Sequence, residues 1–156
     1  MSQFTAIQGL LHMCWPEMVE IDTAIFIAAA LPSTGPHMQS FADRTAAEAF
    51  YNHIHLFDML PPNCFATEAE HASSGTSFSA STATSIDAIA HMVVDMWRTK
   101  LQRDFPGRRV RLYLTYEDEA ILRFHVVRHD EPAWLDPVDW QEQLASGRLS
   151  IYDTDE

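Results

Sequence analysis

Arg109, Arg111, Tyr113, Arg123 and His125 are the side chains of this sequence best suited to act together on a ligand. Guanidinium groups grip carboxylates and phosphates through paired hydrogen bonds, and a neighbouring Tyr and His add further donors. Register decides whether the five share a surface. Two runs, 108–116 and 120–129, flank the acidic segment Glu117-Asp118-Glu119. A two-residue turn at Asp118-Glu119 would set Leu114 opposite Arg123 and place a charge on the apolar face. A three-residue loop, 117–119, instead pairs Tyr116 with Ala120, Leu114 with Leu122, Leu112 with Phe124 and Val110 with Val126. A slip of one residue turns every side chain to the wrong side, so the register with one wholly apolar face is expected. The other face then sets Arg109 against Val127, Arg111 against His125 and Tyr113 against Arg123. It is a candidate site for an anionic ligand or a partner, or a surface that an acidic element of the same chain covers.

Charge is segregated around these residues. The chain of 156 residues has a formal net charge of -12, yet eight of its ten Lys and Arg lie between Arg98 and Arg128. Residues 1–97 carry a net -9, residues 98–128 a net +4, and residues 129–156 a net -7. Arg98, Lys100 and Arg103 fall at the end of a helix, where cations favour the dipole and need no further role. Overall acidity argues against broad binding to nucleic acid or anionic lipid, which depends on neutralising phosphates. It favours a basic protein partner. Trp134 and Trp140, set beside Asp136 and Asp139, are candidate anchors and charges for such an interface, although a Trp also serves to pack against a sheet.

Other constellations carry less. In Asn52-His53-Ile54-His55-Leu56-Phe57-Asp58 a strand would aim His53 and His55 the same way, close enough to share a metal with Asp58. The surrounding apolar residues keep a helical period, which would separate the two imidazoles by about 200°, so no metal site is expected. Asp87, His91 and Asp95 form a four-residue ladder, read either as a carboxylate-oriented His or as a solvated helix face. His125 and His129 are about 13 Å apart on a strand, too far to share an ion. No nucleophile elbow, phosphate loop or dinucleotide fingerprint occurs, and with only five glycines no cofactor is expected.

The elements that must position these residues follow from periodicity. Phe4, Ile7, Leu10 and Leu11 suggest a short helix before Pro16; Val19 to Ile27 alternates as a strand with a soft end near Leu31. A helix over 44–60 has Asp43 as its N-cap and Pro61-Pro62 as its stop. The stretch 72–85, with nine Ser or Thr, reads as an exposed loop. Ile86, Ile89, Ala90, Val93, Trp97 and Leu101 mark one face of a helix over 86–104, ended by Pro106-Gly107. Asp136-Pro137 caps a last short helix, and a final strand covers 148–152 before an acidic tail, 153–156, that should fray.

This order predicts an α+β domain over 1–152, with an antiparallel or mixed sheet, the hairpin at its centre, and about four helices packed against it. At this length a single core suffices without disulfide or metal, so Cys14 and Cys64 are expected to be reduced thiols in a cytoplasmic protein. The N-terminus lacks a basic signal-peptide start, and the longest apolar run, 24–31, is far too short to span a membrane. The resulting expectation is a non-catalytic, acidic protein-binding module, of the inhibitor or immunity type, for a basic partner. The alternative is a small enzyme or ligand-binding domain holding an anion on the Arg/Tyr/His face.

Overall fold

The computed structural model describes residues 9, 11–59, 80–116, 119–136 and 138–155, without the side chains at 57, 59 and 80–86. It is an α+β fold with two antiparallel sheets. The first is the hairpin β1 (Met18–Ile21) and β2 (Ala24–Ile27). The second has four strands: β3 (His53–His55), β4 (Val110–Tyr116), β5 (Ala120–Val126) and β6 (Leu149–Asp153), in the spatial order β3-β5-β4-β6. The helices are α1 (Arg44–Tyr51), α2 (Leu56–Met59), α3 (Ala80–Asp104) and α4 (Gln141–Ala145). Among the described residues no helix is long and apolar enough to cross a membrane.

The central hairpin adopts the expected register, from Val110 opposite Val126 to Tyr116 opposite Ala120. Its apolar face, Val110, Leu112, Leu114, Leu122, Phe124 and Val126, packs with Ala90, Val93, Val94, Trp97 and Leu101 of α3 in the main core. Trp97 is fully buried: its ring meets Phe124 edge-on at 5.7 Å, and its indole N–H donates to the Met13 carbonyl at 2.8 Å. That bond satisfies the one polar atom of a large buried side chain and ties the helical turn at 11–14 to α3.

Three local expectations need correction. The run 18–27 is two strands, because the chain reverses at Asp22-Thr23 with φ of 49° and 68°. Paired positive φ values are the mark of a type I′ turn, usually made with Asn-Gly. A β-branched Thr in that region costs on the order of 1–3 kcal/mol, so the surroundings must hold it there. The helix from Arg44 stops at Tyr51 rather than 60, and His53–His55 forms the edge strand β3, paired with β5. The end of the Ser/Thr-rich stretch, 80–85, is helical; its remainder lies outside the described residues, as does Cys64.

Helix α1 explains how two separate sheets become one fold. Asp43 caps it as expected, accepting from the Ala46 N–H at 2.7 Å. One turn apart on its inner side lie Glu48 and Asn52, both wholly buried. Glu48 accepts from the backbone N–H of Ile25 in β2 at 2.6 Å and of Val126 in β5 at 3.0 Å. Asn52 accepts from Ile27 N–H at 2.8 Å and donates to Ile25 O at 2.6 Å and Phe124 O at 3.4 Å. The facing edges of β2 and β5 are thus satisfied by helix side chains instead of by a strand ladder. Arg128 Nη1, on a side chain only 7% exposed, closes the system on Glu48 at 2.6 Å. Burial pushes the Glu48 carboxyl up, while Arg128 and the two backbone donors pull it down; the net shift is upward.

Removing one partner of a buried ion pair leaves the other charge uncompensated, so Glu48→Ala is expected to lose roughly 3–5 kcal/mol of stability. Urea unfolding of wild type and variant checks this, and a near-neutral result would show that Glu48 does not bridge the sheets.

Candidate functional site

The face of the four-stranded sheet turned away from α3 carries the residues expected to act together. Antiparallel pairing brings Arg111 beside His125 and Tyr113 beside Arg123 on β4 and β5. The next strand on one side sets Asp153 opposite Arg111 and Ile151 opposite Tyr113. On the other side, His53 lies opposite Arg123 and His55 opposite Ile121. Arg109 follows at the strand end, where its carbonyl accepts from Val127 N–H at 2.8 Å.

This face is covered by its own chain. Asp153, expected in a frayed tail, is the last residue of β6 and only 3% exposed. Its two oxygens accept from Arg111 Nε at 2.7 Å and Arg111 Nη2 at 2.8 Å, and Arg109 Nη2 donates to the same carboxylate. Burial alone would raise the Asp153 carboxyl, but the hydrogen bonds and charges of Arg111 and Arg109 outweigh it and hold it below its ordinary value. Thr154 is buried too: its N–H donates to the Val110 carbonyl at 3.0 Å, and its hydroxyl accepts from the Val110 N–H at 2.9 Å. The chain end stays ordered this far because β6 needs it as an edge strand and Arg111 needs its charge.

Trp134, Leu135, Trp140 and Leu144 cover the middle of the face. Leu135, Leu149 and Tyr113 form a buried cluster with Trp134, Trp140, Leu144 and Ile151 around it. Tyr113 stacks on His125 with ring centroids 5.6 Å apart, and Trp134 meets Tyr113 edge-on at 5.4 Å. The Arg123 guanidinium lies 4.3 Å from the Trp134 ring, a cation–π contact. Trp134 and Trp140 are therefore half-buried against the sheet, whereas Asp136 and Asp139 are exposed.

His125 is 1% exposed. Its Nδ1 faces the Val126 carbonyl at 2.9 Å, an acceptor, so Nδ1 carries the proton. Nε2 then accepts from the Tyr113 hydroxyl at 3.0 Å. Burial, with the Arg111 and Arg128 charges, pushes the imidazole below its ordinary value, against the opposing pull of the Val126 carbonyl. It is a neutral packing group with no open path to a ligand. Burial likewise raises the Tyr113 hydroxyl.

The remaining candidates separate. His53 and His55 point the same way, with rings 5.3 Å apart, but His53 Nδ1 bonds the Phe50 carbonyl and His55 Nδ1 bonds Glu119. Asp58 lies beyond the strand on α2, and among the described residues no group of three or more His, Cys, Asp or Glu is arranged to hold a metal. Of the expected ladder on α3, Asp87 meets His91 at 3.3 Å, and the sheet completes the chain of contacts in place of Asp95: the Tyr116 hydroxyl donates to Asp87 at 2.6 Å, and Tyr152 bonds the far side of the His91 ring at 2.9 Å. Cations at the end of α3 pair locally. Arg103 and Lys100 each reach Asp104 at 2.6 Å, holding its carboxyl down at about 2.

Sequence reasoning missed a second group of arginines. The rim of the hairpin, the β1–β2 turn and the start of α1 border an open cleft of about 470 Å³, lined by Thr23, Arg44, Arg108, Arg109, Arg128 and His129 among others. Arg128 Nη2 donates to the Thr23 carbonyl at 2.9 Å, Arg108 Nη2 donates to the same oxygen, and Arg44 Nη1 reaches the Thr23 hydroxyl at 3.0 Å. These bonds hold the positive-φ turn. Behind it, Arg44 Nε meets Glu131 at 2.5 Å, and Glu131 also accepts from the Thr45 N–H at 2.8 Å. No family model, curated protein or solved structure matches the chain.

Two pH effects follow. His125 has a lowered folded pKa, so its stabilising neutral state is fully populated above the unfolded value of about 6.5 and is progressively lost as pH falls below it. Thermal melts should therefore show a loss of stability below that pH that is absent in His125→Gln; equal slopes would contradict the buried neutral ring. Asp153 also has a lowered folded pKa, so its contribution is present above an unfolded value of about 3.9 and disappears as pH falls further. Asp153→Asn is expected to melt lower at neutral pH, with the difference from wild type closing in acid; a constant difference would count against the ion pair.

Proposed function

We propose that the protein is a non-catalytic, cytoplasmic module that docks a basic protein partner through its acidic outer surface, as a small inhibitor or immunity-type protein would. The supporting observation is the way residues 130–142 are presented. At the near end Glu131 is held by Arg44 and by Thr45. At the far end Trp134, Leu135, Trp140 and Leu144 pack onto the sheet. Between these anchors Asp136, Val138 and Asp139 face solvent, and Val138 is 69% exposed. The Asp136 carboxylate accepts from the Val138 N–H at 2.9 Å, which fixes the turn from within.

A preformed apolar tip between two carboxylates loses little conformational entropy on binding, which favours recognition. The carboxylates speed encounter with a basic surface, and the apolar tip slows departure once water is excluded. Nucleic acid and anionic membranes are disfavoured by the same charge. In this reading the two tryptophans support the interface from beneath and do not enter it. The arginines of the sheet face brace the acidic elements: Arg111 and Arg109 hold Asp153, and Arg123 seats Trp134.

The test is capture from native lysate on immobilised wild type and on the double variant Val138→Ser, Asp139→Asn. Both positions are exposed, so the fold and melting temperature should not change. A basic protein retained by wild type, released by moderate salt and not retained by the variant is expected. Retention of the same proteins by both forms, or of none by either, would overturn the proposal.

A further inference from the structure

We infer that the cleft between the β1–β2 turn and the rim of the hairpin is a binding site for a small phosphate-bearing anion, gripped by Arg44, Arg108 and Arg109, with Arg128 committed behind them to Glu48 and Thr23 and His129 at the mouth. This inference does not rest on the partner-docking reading, which concerns a different surface.

The wall of the cleft is strongly cationic. Four arginines and a histidine line the cleft, and Asp130 is its one acidic lining residue. The carboxylates that hold three of these arginines do not line it: Glu48 and Asp153 are buried beyond Arg128 and Arg109, and Glu131 lies behind Arg44. The ion pairs are therefore oriented with their positive ends toward the cleft. Counter-charges on the solvent side are exposed and displaceable, with Asp130 at 3.2 Å from Arg44, Asp155 at 3.2 Å from Arg109 and Glu20 at 3.1 Å from Arg108. An incoming phosphate group can replace these weak surface pairs with bidentate contacts.

One guanidinium donor in the cleft wall is an orphan. Arg108 Nε is buried and has no hydrogen-bond acceptor, while its Nη2 is committed to Thr23 and Glu20. A buried N–H of a guanidinium without an acceptor is costly unless something completes it. The backbone of the cleft is strained as well. Thr23 holds a φ of 68°, a conformation its β-branched side chain disfavours, and three of the same arginines fix its carbonyl and hydroxyl. Strained backbone of this kind collects where a binding surface is preorganised. The volume, about 470 Å³, falls in the range of roughly 300–1,000 Å³ usual for small-ligand sites. Val127 supplies an apolar surface against which the neutral part of a phosphate ester can lie.

The chain's net charge of -12 repels anions at long range, so retention in this cleft demands direct guanidinium contact. Pyrophosphate is the probe. Titrated into the wild-type protein at low ionic strength, it should give saturable heat by calorimetry and saturable shifts of the Thr23, Gly107 and His129 amides. Arg108→Gln combined with Arg109→Gln is expected to weaken it by roughly tenfold or more through lost charge-assisted bonds. Arg148→Gln, at the opposite end of β4, should leave it unchanged. Arg108 also steadies the turn, so Arg109→Gln with His129→Gln, both at exposed positions, provides a second variant if the first melts early. Absence of saturable binding to wild type, or equal binding to a folded cleft variant, would overturn the inference.

Discussion

A carboxylate and an amide one helical turn apart hold this molecule together. Strands β2 and β5 face each other across a gap that no ladder spans, and Glu48 and Asn52 fill that gap from α1. A buried carboxylate is costly by itself, because burial strips its water. Here two backbone N–H groups and Arg128 replace that water, and the Ile25 and Val126 N–H groups would lose their acceptor without Glu48. The cost and the compensation are shared among three elements, which couples them: the N-terminal hairpin cannot leave without exposing the edge of the central sheet.

The same logic resolves the charge segregation. Apart from Lys100 and Arg103, which pair locally with Asp104, several arginines serve as internal ties to elements distant in sequence. Arg128 reaches α1, Arg44 reaches the segment after β5, and Arg111 reaches the last strand. Such pairs contribute less than their number suggests, because desolvation offsets attraction. Their effect is on specificity: a β6 shifted by one residue would bury Asp153 without Arg111 and turn Leu149 and Ile151 away from Tyr113 and Trp134. The paired guanidiniums still present outward-facing donors, which is why the rim of the hairpin differs from its covered face.

The sequence made some of this legible and hid the rest for identifiable reasons. Hairpin register was readable because strict alternation leaves one arrangement with no charge in the core. The face of α3 was readable for the corresponding reason at helical period. The end of α1 was not, since Ala47, Phe50, Ile54 and Phe57 keep a helical spacing across a break; pairing with β5, a tertiary effect, overrides it at His53. The turn at Asp22-Thr23 was hidden because it lacks the glycine that announces such turns and is held by side chains from Arg44, Arg108 and Arg128. Nothing in the sequence marked Glu48 as buried, and Asp153 was expected in a fraying tail, because burial of a charge depends on partners that only the fold supplies. The five candidates of the sheet face were brought together as expected, but the cover over them came from residues read as interface and tail.

The strand order β3-β5-β4-β6 also bears on how the fold assembles. Its middle pair is local, joined by a three-residue connection, and can form early against α3. Both outer strands come from far along the chain in opposite directions, one before α3 and one after α4. Each must close a long loop before its hydrogen bonds reward it, so edge completion is the slow entropic step. Until then both sides of the central pair present unpaired backbone, and during that interval the chain is most exposed to association with its own copies. A high net negative charge, whatever else it serves, keeps such copies apart while the edges are still open.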